Sequence, residues 1–153
     1  MESLREKLKK SLDQNLKNRD EIGTATLRLV VAAIKDHDIQ FRSDKKGDLI
    51  SDEEILNLLL NMIKQRKESV EIYSNAGRVD LKEREEKEIE VIQSFLPHQI
   101  TSTELDKIIK NSIKELECSS IKDLGKLINF LKKKYPGQLE MKEVAEIAKK
   151  NLQ

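Results

Sequence analysis

The segment Ile63–Ile100 most constrains the fold, because it contains two amphipathic helical patterns that are joined by one short break. The first pattern ends at Ala76-Gly77, where glycine can adopt the left-handed conformation that closes a helix. The second pattern ends before Pro97, which cannot continue a helix. Two amphipathic helices with so short a connection favour an antiparallel helical hairpin.

Each helix of this hairpin carries a charged residue inside its apolar stripe. At 100° per residue, Arg66 falls between Met62 and Val70, and Glu88 falls on the same face as Ile92. A buried charge without a partner is costly, so we predict a partly buried structural ion pair between Arg66 and Glu88. The alternative is a ligand pocket built on Arg66, which would need other convergent polar groups that the sequence does not show.

Apolar periodicity and capping patterns extend the helical prediction to the whole chain. Seven helices are expected to begin near residues 2, 20, 51, 80, 101, 120 and 141, and Ser51, Asp80, Thr101 and Ser120 start four capping patterns. Five glycines and two prolines leave little material for the turns of an all-β fold. We therefore predict an all-α protein, with about four helices in residues 1–96 and a small three-helix domain in residues 97–153.

Residues with metal-binding or catalytic potential are few and poorly spaced. Cys118 is the single cysteine, which excludes an internal disulfide and a cysteine-based metal cluster. The sequence Asp36-His37-Asp38 offers possible ligands, but adjacent helical positions point apart, and a solvated polar face is favoured. Neither His37 nor His98 belongs to a recognisable catalytic motif. We expect no catalytic residue, no metal and no cofactor.

The chain also lacks the sequence signals of membrane proteins. Its first residues, MESLREKLKKSLDQNL, form a charged amphipathic pattern without the apolar core of a signal peptide. No apolar run approaches the roughly 20 residues that a membrane span needs. We therefore expect a cytoplasmic protein without a membrane partner.

Lysines near the C-terminus form the strongest candidate binding surface. Residues 97–153 contain 11 Lys and Arg against 8 Asp and Glu, whereas residues 1–96 contain 18 against 20. On the sixth predicted helix, several lysines lie opposite the apolar stripe, and others follow on the seventh. Such a basic face could follow a phosphate backbone, or it could be an ordinary solvated face. The candidate nucleic-acid-binding residues are Lys122, Gly125, Lys126, Lys132, Lys133, Lys134, Lys142, Lys149 and Lys150.

Gly125 is included because glycine within a helix costs about 1 kcal/mol relative to alanine. Close approach of another backbone, either a neighbouring helix or a nucleic acid, would explain its presence.

Several segments resemble the signature of the YqeY family, and their order covers essentially the whole chain. They are Lys64-Gln65-Arg66-Lys67-Glu68-Ser69, Ala76-Gly77-Arg78-x-Asp80-Leu81 and Glu88-Ile89-x-Val91-Ile92-x-x-Phe95-Leu96-Pro97-x-Gln99, with similar segments at Leu27–Val30 and Asp123–Lys126. The lysine-rich segment Phe130–Gly137 and the sequence Asp36-His37-Asp38 depart from the family's usual pattern.

The resemblance implies a setting in aminoacyl-tRNA synthesis. The C-terminal part of the YqeY family is similar to the tail of GatB, a subunit of the glutamine-dependent aminoacyl-tRNA amidotransferase. That helical tail is implied to hold the tRNA body, while the amidase and the kinase-like centre lie elsewhere. A label of carbon–nitrogen ligase with glutamine as amido-N-donor would therefore be inherited from the tail homology, and residues 97–153 are expected to form a GatB-tail-like domain.

Three functions follow from these observations. The first is a non-catalytic tRNA-binding or tRNA-amidotransferase-related accessory protein, with tRNA, the amidotransferase or translation-related proteins as partners. The second is a protein-interaction or regulatory helical module that does not bind RNA. The third, which has the least support, is an enzyme with Arg66 and Glu88 in a pocket.

Overall fold

The computed structural model describes residues 2–153, and within them the regular structure is helical, with seven α-helices, one 3₁₀ turn and no strand. This confirms the predicted all-α fold. Two compact units divide the chain: the first ends at Leu96 and the second spans Pro97–Gln153. The first unit contains α1 (Leu4–Lys17), α2 (Glu21–Ser43), α3 (Asp52–Asn75) and α4 (Val79–Gln93); the second contains α5 (Ser102–Glu115), α6 (Leu124–Lys134) and α7 (Met141–Leu152).

The first unit is built around the antiparallel hairpin of α3 and α4. Gly77 has a φ of +70°, and the N–H groups of Gly77 and Arg78 donate to the carbonyls of Ser74 (3.3 Å) and Tyr73 (2.9 Å). This pair of hydrogen bonds is the Schellman motif, which satisfies the last carbonyls of α3 and reverses the chain. The predicted left-handed glycine therefore closes α3, and Ser51 caps its start by accepting from the Glu54 N–H (3.2 Å).

The prediction that Asp80 caps α4 is wrong. Helix α4 begins at Val79, and Arg78 precedes it without a side-chain cap. Because the Schellman turn uses only Gly77 and Arg78, the helical backbone resumes before Asp80, which lies in the first turn. There its carboxylate forms an exposed ion pair with Arg78 at 3.3 Å.

The prediction of a solvated face at Asp36-His37-Asp38 is wrong for Asp38. The first two residues are exposed, but Asp38 is buried, because it lies one turn after the buried Ile34 on the core side of α2. The Arg5 guanidinium donates to both Asp38 carboxylate oxygens at 2.9 and 2.5 Å. The Ile50 N–H donates to the same carboxylate at 2.9 Å, and Arg5 also donates to the Ile50 carbonyl. One carboxylate thus joins α1, α2 and the segment before α3.

The environment of Asp38 favours its ionised form. Hydrogen bonds from Arg5 lower the pKa of Asp38 below its ordinary value, and the bond from the Ile50 N–H acts in the same direction, while burial opposes both.

The second unit has its own hydrophobic core between α5, α6 and α7. Thr101 and Glu104 form the predicted reciprocal capping box at the start of α5. The turn between α6 and α7 is tied to the start of the unit, since the Ile100 N–H donates to the Gln138 carbonyl at 3.0 Å. The buried core residues are Leu105, Ile109, Leu127, Leu131, Leu139, Val144, Ala148 and Leu152.

The start of α6 differs from the prediction of a helix that begins at Ser120. A 3₁₀ turn, Ile121–Asp123, precedes the α-helix, which begins at Leu124. The Asp123 carboxylate accepts from the N–H groups of Ser119 (2.8 Å) and Ser120 (3.3 Å), so it holds the entry to the turn. These two bonds lower the pKa of Asp123 below its ordinary value.

Among residues 2–153, we find no helix with the length and apolar character that a membrane crossing requires.

Candidate nucleic-acid interface and the Arg66–Glu88 ion pair

Helix α6 presents a basic surface because its apolar residues are used on the opposite side. Leu127 and Leu131 are fully buried in the core of the second unit. All charged residues of α6 are lysines, and each of them is exposed: Lys126, Lys132, Lys133 and Lys134. Lys126 and Lys133 are seven residues apart, about 10.5 Å along the helix axis, and lie on the same outward side. We call these four lysines the α6 lysines.

Two of the α6 lysines have structural partners within the second unit. The Lys126 ammonium donates to the carbonyl of Leu116 at 3.1 Å, and Leu116 is the C-cap residue that directly follows α5. This bond satisfies a carbonyl that has no helical partner. Lys126 therefore stabilises the end of α5, a role that its sequence position did not indicate.

Lys134 is the second α6 lysine that has partners. Its ammonium lies 5.4 Å from the centroid of the Phe130 ring and 5.8 Å from that of Tyr135. It is also 3.9 Å from the carboxylate of Glu115 on α5. Cation–π contacts and an exposed ion pair thus occupy this lysine in the free protein.

The other candidate lysines of the second unit differ in whether carboxylates lie near them. Lys122, Lys132 and Lys133 are exposed and form no ion pair with any residue that the structure describes. Lys142, Lys149 and Lys150 are also exposed on α7, but they share that helix with Glu143 and Glu146. The basic character is therefore strongest at the end of α6, where Lys132 and Lys133 are adjacent.

Gly125 lies on the exposed surface in the first turn of α6. A Cβ atom built on it would meet no other atom within 4 Å. No neighbouring helix of the described structure therefore requires a glycine at this position. The other explanation, close approach of a nucleic acid, stays a prediction.

The Arg66 and Glu88 side chains meet between α3 and α4. The Arg66 Nε atom lies 3.1 Å from the Glu88 Oε2 atom, and only 13% and 11% of the two side-chain surfaces are exposed. Arg66 also donates to the Met62 carbonyl at 3.3 Å. On the other side, the Arg84 Nε atom lies 3.4 Å from the Glu88 Oε1 atom. Each carboxylate oxygen of Glu88 thus faces its own arginine.

Glu85 completes this charged cluster, one turn before Glu88 on α4. Burial raises the pKa of Glu85, and the neighbouring Glu88 raises it further, while Arg66 and Arg84 partly offset both effects. Sequence reasoning missed Glu85 and Arg84. Their spacing of three and four residues from Glu88 places them on the same helix face and could have revealed them.

This cluster holds α3 against α4 by charge pairing. The guanidinium groups of Arg66 and Arg84 satisfy the carboxylate of Glu88, and the carboxylate in turn neutralises Arg66 in the apolar stripe of α3.

The other candidate groups remain apart. In the part of the chain that the structure describes, no three His, Cys, Asp or Glu side chains are placed to hold a metal ion. His37 and His98 are exposed on different units, and His98 lies 3.9 Å from the Glu104 carboxylate. Cys118 is a free, half-buried thiol.

Comparison with known proteins relates the whole chain to one family. A family model described as Yqey-like protein matches residues 5–152. The chain is 31% identical over 129 residues to "Altered inheritance of mitochondria protein 41, mitochondrial" of Lachancea thermotolerans, which covers 80% of this chain and 67% of the relative. A protein of the same name from Vanderwaltozyma polyspora is 30% identical over 117 residues, which cover 72% of this chain and 60% of the relative. An uncharacterized protein of Schizosaccharomyces pombe is 27% identical over 95 residues, with 62% and 73% covered.

Proposed function

Because the chain belongs to the Yqey-like protein family, as its motifs predicted, we propose the function that the resemblance implies: a non-catalytic, tRNA-binding accessory protein related to the aminoacyl-tRNA amidotransferases. The second unit makes the RNA contacts, and the first unit supports it or recruits a protein partner. The partners are tRNA and either the amidotransferase or another translation-related protein.

The observation that supports RNA binding is the outward surface of α6. Lys132 and Lys133 are exposed there without a carboxylate partner among the described residues, and Lys122 is similarly exposed in the preceding 3₁₀ turn. Ammonium groups in this state can displace the counterions that surround phosphates, which is the main source of sequence-independent affinity for nucleic acids. Lys126 and Lys134 strengthen the local positive potential while they keep their structural contacts.

The non-catalytic part of the proposal is supported by the Arg66–Glu88 cluster. The charged groups that the hairpin places inside its apolar stripes bind one another, and Arg84 takes the remaining carboxylate oxygen of Glu88. A label of amidotransferase activity would belong to the larger enzyme whose tail the second unit resembles.

The proposed location is the compartment in which the tRNA partner is found. We place the protein in the cytoplasm, as the sequence predicts, although two fungal relatives carry the word "mitochondrial" in their names. Both compartments contain tRNA, so the proposed binding does not depend on the choice.

Binding of fluorescently labelled tRNA, followed by anisotropy over a range of salt concentrations, tests this function. Phosphate contacts make affinity fall steeply with salt, and each lost lysine contact should reduce the slope of log K against log salt by about 1. We expect Lys132→Gln/Lys133→Gln to reduce the slope by about 2. The double variant avoids Lys126, whose loss would also weaken the end of α5.

The matched control is Lys64→Gln/Lys67→Gln, which removes two exposed lysines from α3 of the first unit. We expect this control to bind tRNA as the unaltered protein does. Absence of tRNA binding at low salt, or an equal loss in both double variants, would reject the assignment to α6.

A second candidate function, a protein-interaction module, is supported by the outward side of α2. Leu29 and Ile39 are 53% and 57% exposed there, beside the exposed Ala32. Contacts of this apolar kind would change little with salt, so a partner bound through α2 should be retained at high ionic strength and released by Leu29→Lys.

A further inference from the structure

We infer that the second unit recognises RNA through the phosphate backbone of a double helix and does not read base identity. This inference rests on the proposed RNA-binding function and names the form of RNA that the α6 surface accepts. It follows from three properties of the second unit: the type of its cationic side chains, the packing of its aromatic rings and the position of the one amide on α6.

All 11 cationic side chains of residues 97–153 are lysines. An arginine guanidinium can donate two parallel hydrogen bonds to the edge of guanine, and it can stack on a base. A lysine ammonium is a compact charge on a flexible stem, which suits a phosphate whose exact position varies. The exposed lysines of α6 therefore respond to negative charge and carry little information about base sequence.

The two aromatic rings of the second unit, those of Phe130 and Tyr135, take part in its packing. Phe130 and Tyr135 are half-buried and pack against the hydrophobic core. The Lys134 ammonium lies over both rings, at 5.4 and 5.8 Å from their centroids. Proteins that bind single-stranded nucleic acids stack unpaired bases on exposed aromatic rings, and each stacked base contributes about 1–3 kcal/mol of binding free energy. Here the core and Lys134 occupy the rings, so a single strand would lose this source of affinity.

Asn129 is the one amide of α6, and it is exposed between Lys126 and Lys133 along the helix. An asparagine can donate to and accept from adenine in the major groove of DNA. In an RNA helix the major groove is deep and narrow, and side chains do not reach the base edges there. The wide minor groove does display base edges, but double-stranded RNA is recognised there mostly through its shape, 2′-hydroxyls and phosphates. We therefore expect Asn129 to contact the backbone or water and to contribute no sequence preference.

A protein surface that binds only through its charge has the highest affinity for the partner with the highest charge density. A DNA double helix carries a negative charge about every 1.7 Å of its axis, against about 3.4 Å for each strand, and it releases more counterions per phosphate bound than a single strand does. A double-stranded RNA also places two charged strands along one axis. The backbones of Lys126 and Lys133 are about 10.5 Å apart along a rigid helix, so their flexible side chains start from fixed positions and can reach the regularly placed phosphates of a rigid partner. A flexible strand would have to pay ordering entropy to match them.

The experiment compares four RNA probes with the full chain by fluorescence anisotropy: two duplexes of about 20 base pairs with unrelated sequences, and one separated strand of each. We expect the two duplexes to bind within about threefold of each other, and the single strands to bind about tenfold more weakly. Lys132→Gln/Lys133→Gln should weaken both duplexes equally, and Asn129→Ala should leave their ratio unchanged.

A preference above about tenfold for one duplex sequence, or single strands that bind as tightly as duplexes, would overturn the inference. Binding of tRNA without binding of either duplex would also overturn it, while the proposed function would stand. If neither tRNA nor any duplex binds at low salt, both the inference and the proposed function fail.

Discussion

The Arg66–Glu88 pair allows a quantitative test of how the α3–α4 hairpin is held together. We expect Arg66→Met and Glu88→Leu each to destabilise the first unit, and the double change to restore most of the loss. The physical reason is that each single change leaves a nearly buried charge without its main partner, whereas the double change places two apolar side chains in two apolar stripes.

The magnitude follows from the contacts that remain after each change. Removal of one partner from a buried ion pair costs about 3–5 kcal/mol. Glu88 would keep Arg84, at 3.4 Å, and Arg66 would keep the Met62 carbonyl, at 3.3 Å. We therefore expect a loss of about 2–3 kcal/mol for each single variant, a loss below about 1 kcal/mol for the double variant, and hence a coupling energy of at least about 3 kcal/mol.

The assay is urea unfolding followed by tyrosine fluorescence, with every variant made in a Tyr135→Phe background. The chain has two tyrosines and no tryptophan, so Tyr73 on α3 then reports the first unit alone. Midpoints should move while the m-values stay constant, because the surface exposed on unfolding is nearly unchanged. A change in the m-values would mean either that the denatured or native state has changed its compactness or that the unfolding of the first unit is no longer two-state.

The matched control is the exposed pair of Lys82 and Glu86, whose charged groups are 3.9 Å apart with 38% and 48% of their side chains exposed. The cycle of Lys82→Met and Glu86→Leu should give a coupling energy below about 0.5 kcal/mol. Arg66 and Glu88 losses that simply add, or equal coupling energies in the two cycles, would show that this ion pair does not hold the hairpin together.

Three further predictions concern a buried carboxylate and two glycines. Because the pKa of Asp38 is lowered in the folded protein, its contribution to stability should be complete above its unfolded pKa of about 3.9 and should disappear as the pH falls through the lower folded value. Urea unfolding should therefore show a difference between the unaltered protein and Asp38→Asn that is constant from about pH 5 to 7 and shrinks below about pH 4; a difference that grows in acid would contradict this. Gly77→Ala should cost about 1–2 kcal/mol and Gly77→Asn less, because φ is +70° and no atom lies within 4 Å of an added Cβ; equal costs would point to a steric cause. Gly125→Ala should raise the thermal stability of the second unit by up to about 1 kcal/mol and weaken tRNA binding, and unchanged binding would remove Gly125 from the interface.

The helices were largely predictable because their signals are local. The capping box of Thr101 and Glu104, the left-handed Gly77 and the apolar spacing of each helix all act within a few residues along the chain. The wrong cap at Asp80 shows the limit of local reading, because the length of the preceding turn decided where α4 begins. The entry to α6 was misread for a related reason: the sequence pattern does not separate a 3₁₀ turn from the first turn of an α-helix.

The candidate site was predictable only in part. The exposure of Lys132 and Lys133 follows from their positions opposite Leu127 and Leu131. Two contacts, from Lys126 to the Leu116 carbonyl and from Lys134 to Glu115, reach residues on or at the end of α5, so no pattern within α6 could indicate them. Arg84 lies four residues before Glu88 on the same helix face, so its spacing could have indicated the pair, but its importance depends on the burial of Glu88.

The sequence by itself determined an all-helical chain, the positions of most helices and the presence of a charge in each stripe of the α3–α4 hairpin. Those features depend on periodicity and on bonds between near neighbours. Only the tertiary structure decided that Asp38 is buried against Arg5, from which it is separated by 33 positions, and that Lys126 closes α5. Such pairings depend on which helix faces meet, and a helix period of 3.6 residues shows that a face exists without showing what packs against it.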